Sequence, residues 1–333
     1  MEPFAVAVED SSHVSAARLG VQRIAHHLGF DAVRAGRVAI GVTEAVTNMV
    51  KHASRGTLAA RTLARGDAVG IEVMAIDRGP GMEDFELCAR DGMSSTGTPG
   101  TGLGAMQRQS DEFDVYTRHG RGTIVRMVFW DREPPTARED YEVGAIVVPK
   151  TGETACGDAW GMELHDRGAT FVVADGLGHG PDASRAATTA VDVLHRHPGD
   201  SAIRILDLAH AKLRPTRGAA LAVIRHDAVA GEVTFAGVGN IAACVVEGDT
   251  RRAMVSHNGI VGHNVHKSGE YRYPWPPGSL LVAHSDGLET QWRIDAFPGL
   301  ASCHPALIAA MLFREHSRKR DDVAVVVARA ARH

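Results

Sequence analysis

The sequence predicts an α+β protein in two parts, a mixed helix-and-sheet layer followed by a helix-covered β-sandwich. Three observations predict it. A polar break, Asp131-Arg-Glu-Pro-Pro-Thr-Ala-Arg-Glu-Asp140, carries two adjacent prolines and separates two apolar strand-like runs. Ahead of the break, helical and strand patterns occur in mixed order. Behind it, strand-like runs dominate. The expected division is a first domain over 1–132, a linker over 133–141 and a second domain over 142–333.

In the first part, Val38, Val42, Ala45 and Met49 recur at spacings of four, three and four, which is helical. Val69 to Ile76 reads as a strand ending at Asp77. Glu112 to Thr117 and Thr123 to Phe129 read as a hairpin closed by Arg118-His-Gly-Arg-Gly122. In the second part, strands are expected at Val143–Val148, Ala169–Ala174, Ala219–Arg225, Glu232–Ala236, Ile241–Val246, Ser279–Ala283 and Asp322–Ala328. Helices are expected at Asp182–Arg196, Ala202–Leu213 and Pro305–Phe313. No internal repeat or low-complexity segment is visible.

The bulk numbers bound the function classes. At 333 residues, 44% hydrophobic and 23% charged, the chain has room for two ordinary cores. A net charge of −4 supplies no basic field for nucleic acid or an acidic membrane. Cys88, Cys156, Cys244 and Cys303 are scattered without a CxxC pair, which speaks against a zinc site or disulfide framework and for a reducing cytoplasm. No signal-like start is evident, and no apolar stretch approaches the roughly 20 residues that span a bilayer. The expected location is cytoplasmic.

Two constellations carry chemistry. In the first, Glu44, Asn48 and Lys51 or His52 share one face of the helix. A carboxylate there can orient a water or hydroxyl, and an amide oxygen one turn on can ligate Mg²⁺. Asp77 at a strand end can accept from an exocyclic amine, and Gly79 and Gly81 allow close backbone approach. Gly100-Thr101-Gly102-Leu103-Gly104 opens a helical pattern and can turn free N–H groups toward phosphates. Taken singly, a polar helix face is most often only solvated and a glycine loop only a turn. Order and spacing together are more specific.

These motifs resemble the GHKL (Bergerat-fold) ATPases, most closely the anti-sigma-factor serine kinases of the RsbW and RsbT type, over about Val14 to Phe129. The Glu44–His52 stretch matches the N box, Asp77–Gly81 the G1 box and Gly100–Gly104 the G2 box. The resemblance implies a Bergerat-type α/β layer that binds ATP. Asn48 would hold Mg²⁺, Glu44 would act as general base or orient the acceptor hydroxyl, and Asp77 would read adenine. Thr123 would support the adenine end, with Met82–Thr101 as a lid. The acceptor would be a serine or threonine on a separate protein, and homodimers are common among such kinases.

The second constellation is acidic: Asp158, Asp175, Asp286 and Asp322, three of them at strand edges. Strand-end carboxylates can converge at one rim of a sandwich, and oxygen-only ligands suit Mg²⁺ or Mn²⁺. Any one Asp-Gly pair is more often a turn. As a set, they resemble the SpoIIE-type branch of the metal-dependent (type 2C-like) serine/threonine phosphatases, with the small stressosome phosphatase RsbX similar, over Glu142 to Ala330. That resemblance implies an α-β-β-α sandwich in which Asp175 bridges two metals and Gly176 adds a carbonyl. Asp286 and Asp322 would complete the site, and Asp158 would contact it less directly. Asp321 is the alternative to Asp322, which is preferred because it directly precedes an apolar strand. No arginine stands out as a phosphate clamp. His179 is expected to touch neither metal nor phosphate, and His26, His27, His195 and His197 are expected at surfaces or helix ends.

The combined expectation is a bifunctional partner-switching regulator. It would phosphorylate, and remove phosphate from, a STAS-type antagonist or stressosome-type protein. Two alternatives stand beside it: a phosphatase whose first domain only senses nucleotide, and an anti-sigma factor that sequesters a sigma factor or another downstream regulator.

Overall fold

The computed structural model describes residues 3–53, 55–83, 102–136, 139–265 and 268–331. The chain divides into two compact units, Met1–Arg138 and Glu139–His333. Among the described residues, no helix is long and apolar enough to cross a membrane.

Among its described residues the first unit holds one antiparallel sheet and three helices. Its strands are β1 (Phe4–Val8), β2 (Gly56–Arg65), β3 (Ala68–Asp77), β4 (Glu112–Thr117) and β5 (Thr123–Trp130), in spatial order β1-β2-β3-β5-β4. Helices α1 (Ser12–His27) and α2 (Ala32–His52) cover one face, and α3 (Gly102–Gln109) packs on α2. The period of two in β3 sorts its residues: Ile71, Val73 and Ala75 enter the core with Val38, Val42, Ala45 and Met49 of α2. Asp31 begins α2 by accepting from the Arg34 N–H at 2.7 Å, leaving a cap rather than an unpaired donor.

The second unit is a two-sheet sandwich with helices outside both sheets. One sheet runs β13-β10-β9-β8-β7, built from β7 (Asp158–His165), β8 (Gly168–Gly176), β9 (Ala219–Asp227), β10 (Glu232–Val238) and β13 (Glu270–Pro274). The other runs β12-β11-β14-β15-β6, from β6 (Tyr141–Val148), β11 (Ala242–Glu247), β12 (Thr250–Ala253), β14 (Leu280–His284) and β15 (Val323–Ala330). Along β8, Phe171 and Val173 face the second sheet, while Val172 and Ala174 face α4 (Pro181–Arg196) and α5 (Ala202–Leu213). Helix α6 (Pro305–His316) lies on the opposite outer face, against β6 and β15. Gly144 makes that approach feasible, because a Cβ there would overlap the Ala306 backbone.

The apolar runs read from sequence overlap these elements, with Ile241, Ser279 and Asp322 falling one residue ahead of β11, β14 and β15. The strands β1, β2, β7, β12 and β13 and the helix α1 were not among those expectations. Strand β2 reads Gly-Thr-Leu-Ala-Ala-Arg-Thr-Leu-Ala-Arg, where alanine weakens any alternation. Its pairing to β1 and β3 makes it a strand.

Candidate functional sites

The first candidate site lies along the exposed edge of α2. Glu44 and Asn48 are half-buried and Lys51 and His52 are exposed. Asn48 and Gly102 are in contact: a Cβ on Gly102 would come within 2.8 Å of the Asn48 amide. The start of α3 and the end of α2 therefore meet here, and a Cβ at 102 would push the Asn48 amide aside. On the other side, a Cβ on Gly79 would lie 2.9 Å from the His52 carbonyl. The turn after β3 thus abuts the last turn of α2.

Asp77 shares the helix-facing parity of Ile71, Val73 and Ala75. Its Oδ1 accepts from the Gly79 N–H at 2.7 Å and from the Thr123 N–H at 3.1 Å, which braces the carboxylate across β3 and β5. Thr123 is buried, and its Oγ1 lies 3.1 Å from Thr117 Oγ1, which accepts from the Met82 N–H at 2.9 Å. Thr117 was missed in sequence. Its signal is position, since it and Thr123 close the same hairpin. Gly81 is in the left-handed region (φ +65°), and a Cβ there would overlap the Arg118 carbonyl. Its glycine is demanded by the adjoining 118–122 turn. Leu103 and Gly104 sit in α3, with Leu103 packed against the core. Gly100 and Thr101, with most of the expected lid, lie outside the described residues.

The second candidate site is a group of carboxylates with little to neutralise them. Asp158 and Asp175 are register partners on β7 and β8, so both project to one side at the end of the sheet. Asp286 follows β14, and Asp321 and Asp322 precede β15. Burial raises the Asp158 carboxyl well above the usual carboxylate range, and Asp175, Asp322 and Asp286 push it further. Asp175 is raised to about 7, first by burial and then by Asp286, Asp321 and Asp322. Asp322 is raised too, chiefly by burial, against the lowering effect of the Lys150 N–H on its Oδ1 at 2.8 Å. Like charges held together with few counter-charges favour the approach of a cation.

Two further observations bear on what fits there. Asp158 Oδ2 and Asp322 Oδ2 are buried without a hydrogen-bond partner. Among the described residues no three His, Cys, Asp or Glu side chains close on a single point, although Asp286, Asp321 and Asp322 act electrostatically on Asp175. An oxygen-only, same-sign set with orphaned acceptors fits hard divalent ions. Asp321 and Asp322 differ in setting. Asp322 is 3% exposed and tied to Lys150, whereas Asp321 is exposed, and its Oδ1 caps the Asp322 N–H at 3.0 Å. Gly176 packs against Ala183, where a Cβ would overlap backbone.

The sequence assigned no role to Asn240, Ser285 or Cys156. Asn240 donates from Nδ2 to Asp286 Oδ2 at 2.6 Å. Ser285 is fully buried, and its Oγ accepts from the Ala324 N–H at 3.0 Å while a hydrogen bond to Asp158 lowers that carboxyl. Cys156 is buried beside Asp158 and Asp322, which push its thiol up after burial has done so. His179 pairs with Glu153 at 2.7 Å and His195 with Glu163. His26, His27, His195 and His197 are exposed. Arg217 forms an ion pair with Asp182 at 3.1 Å, close to Gly178 of the Asp175 loop.

Comparison with known proteins accords with this layout. Residues 7–129 match the histidine kinase-like ATPase domain model, and residues 165–331 match the Stage II sporulation protein E (SpoIIE) model, half the chain. The serine/threonine-protein kinase RsbT of Bacillus subtilis is 32% identical over 119 residues, 36% of this chain and 89% of that protein. An anti-sigma F factor from Thermoanaerobacter sp. is 32% identical over 123 residues, 35% of this chain and 85% of that protein. A solved chain described for the bacterial stressosome, a modular system adapted to control secondary messenger signalling, is 32% identical with a TM-score of 0.54. It covers 57% of this chain and 100% of its own. RsbX in complex with magnesium shares the fold at 20% identity and a TM-score of 0.51, over 59% of this chain and 98% of that one. The chain therefore belongs to the SpoIIE family through its second unit and, through its first, to the histidine kinase-like ATPase family that includes RsbT.

Proposed function

We propose that this chain is a bifunctional partner-switching regulator, a protein serine/threonine kinase in its first unit and a metal-dependent phosphatase in its second. The observation that carries the reading is the presence, on one chain, of a unit 32% identical to the kinase RsbT and an oxygen-only acidic cluster with orphaned acceptors on a SpoIIE-family sandwich.

In the first unit ATP is the substrate. Asp77, braced by the Gly79 and Thr123 N–H groups, would take the adenine amine, and Asn48 would hold the Mg²⁺ that accompanies the triphosphate. Gly79, Gly81, Gly102, Leu103 and Gly104 would shape the nucleotide site, with Lys51 and His52 exposed at its edge. Glu44 orients the acceptor hydroxyl and receives its proton. The hydroxyl oxygen bonds the γ-phosphorus as the bond to ADP breaks. The acceptor is a serine or threonine of a STAS-type or stressosome-type protein. Phosphate adds nearly two negative charges there, enough to make or break an interface.

In the second unit Asp175, the Gly176 carbonyl, Asp286 and an acid of the 321–322 pair would hold Mg²⁺ or Mn²⁺. Asp321 is favoured for its exposure, with Asp158 and Asp322 behind. Divalent ions bound there supply charge neutralisation and an activated water. Asn240 keeps Asp286 turned inward, and Ser285 positions Asp158. Water oxygen bonds the phosphorus, the bond to the seryl or threonyl oxygen breaks, and that oxygen leaves protonated.

The test is labelling of a STAS-domain protein with ATP and Mg²⁺, then release of the label with Mn²⁺. Glu44→Ala should abolish labelling and Asp175→Asn should abolish release. Absence of both reactions in the unaltered protein overturns the reading. If Glu44→Ala alters only the phosphatase rate, the first unit is a nucleotide sensor. The likeness to anti-sigma F factors favours one second reading, capture of a sigma factor by the first unit, which predicts a nucleotide-dependent complex on co-purification.

A further inference from the structure

The second unit contains a cleft of ≈ 550 Å³, open to solvent and lined by Glu289, Thr290, Gln291, Arg318 and Arg320. Its two walls are the loops that carry the acidic cluster. One runs on from Asp286 to Gln291, and the other runs through Arg318, Lys319 and Arg320 into Asp321 and Asp322. The loops are joined backbone to backbone. The Arg318 N–H donates to the Gly287 carbonyl at 2.8 Å and the Glu289 N–H to the His316 carbonyl at 2.9 Å, flanking a bridge between Leu288 and Ser317. A Cβ on Gly287 would overlap the Asp322 carbonyl, so the join sits directly on the strand that carries the cluster. Arg251 extends the wall by donating to the Thr290 carbonyl at 2.7 Å while its guanidinium lies 4.0 Å over the buried Trp292 ring.

The charge in this cleft is unusual for the chain. Arg318, Lys319 and Arg320 are consecutive, exposed cations in a protein whose net charge is −4. Neither Arg318 nor Arg320 enters an ion pair among the described residues. Lys319 between them has φ +57°, the one positive value at a described non-glycine residue. A bulky residue held in the left-handed region is backbone that its surroundings impose, and such positions gather at sites of function.

We propose that this cleft is the substrate-docking site of the phosphatase, reading acidic residues that flank the phosphorylated serine or threonine of the protein substrate. The inference rests on the phosphatase reading above and deepens it. Forked guanidiniums match carboxylates in pairs. Thr290 and Gln291 add neutral hydrogen-bonding groups. The acidic cluster on the same loops repels an extended polyanion, so a short acidic stretch is admitted and nucleic acid is not. Docking on the loops that carry Asp286 and Asp322 sets the phosphate at the cluster without an arginine inside it.

The experiment uses the full chain and its Arg318→Glu/Arg320→Glu variant with Mn²⁺. The substrates are p-nitrophenyl phosphate and two phosphoserine peptides, one flanked by Glu and Asp and the other by Gln and Asn. The unaltered protein should favour the acidic peptide in kcat/KM by about tenfold, mostly through KM. The variant should lose or reverse that preference while turning over p-nitrophenyl phosphate at the original rate. No preference in the unaltered protein, or a preference kept in the variant, overturns the docking site. If p-nitrophenyl phosphate turnover also falls, in this variant and in Arg318→Gln/Arg320→Gln, the arginines serve the chemistry and docking is overturned. Binding of the acidic phosphopeptide in chelator, read by fluorescence anisotropy, separates the two claims. Binding that the variant loses upholds docking even if no substrate is turned over, in which case only the phosphatase reading falls.

Discussion

Both units bury acidic groups, and they treat them in opposite ways. In the first, Glu72 is fully buried on the sheet face away from the helices. It accepts from Arg126 at 2.7 Å and Arg61 at 2.5 Å, and Arg126 goes on to Asp114 at 2.8 Å and Glu112 at 3.0 Å. Its neighbours' charges hold the Arg126 guanidinium firmly protonated against its burial. In the second, Asp158 and Asp322 are each 3% exposed, and each keeps an orphaned oxygen among other acids. A buried charge that meets its partners inside the protein is architecture. One that repels its neighbours is waiting for something from outside.

The largest expected effect breaks the paired network. Arg126→Met takes from the buried Glu72 one of its two arginines, leaving Arg61, and should cost the first unit about 3 kcal/mol in urea unfolding. A loss under about 1 kcal/mol would remove the distinction between the units. Next comes the opposite sign in the second unit. At pH 8, above its value of about 7, Asp175 must ionise among like charges. In chelator, Asp175→Asn should therefore stabilise the second unit by about 2 kcal/mol. Excess Mn²⁺ at 100 times its Kd should stabilise the unaltered protein by about 2.7 kcal/mol, and Asp175→Asn should lose that gain. Destabilisation by Asp175→Asn in chelator would show that the acidic cluster is compensated after all.

A smaller effect separates buried histidine from buried acid. His226 accepts or donates at Nδ1 with the Tyr141 hydroxyl at 2.6 Å, and burial lowers its pKa to about 4. The folded state then binds fewer protons than the unfolded chain between about 4 and 6.5. Its stabilising share is present above 6.5 and is lost as pH falls toward 4. That loss should be on the order of 2 kcal/mol, and His226→Gln should flatten it in acid titration followed by near-ultraviolet dichroism. The smallest effect lies at the nucleotide cleft. Thr117→Val removes the acceptor of the Met82 N–H and should cost about 1 kcal/mol, with weaker ATP binding by calorimetry.

How much of this was legible in sequence depends on range. The α2 face with Glu44 and Asn48, the hairpin 112–129 and the Asp175, Asp286 and Asp322 strand ends were legible, because side-chain period and Gly-flanked acids are local signals. Strand β2, with its alanines, and the short β12 carry no such period. Asn240 and Ser285 were not legible as site residues, because Asn240 meets Asp286 and Ser285 meets Asp158 only across long stretches of chain. Glu72 and Arg126 are 54 residues apart, and neither residue type predicts burial.

By itself the sequence determined the two-part α+β layout, the polar edge of α2 and the set of acids available for metals, since each follows from spacing along one element. Tertiary structure alone decided which acids are neutralised and which repel, that Asn48 touches Gly102, and that Arg318 and Arg320 wall a cleft beside Asp322. The physical reason is that charge compensation depends on distance through space, and only packing sets it.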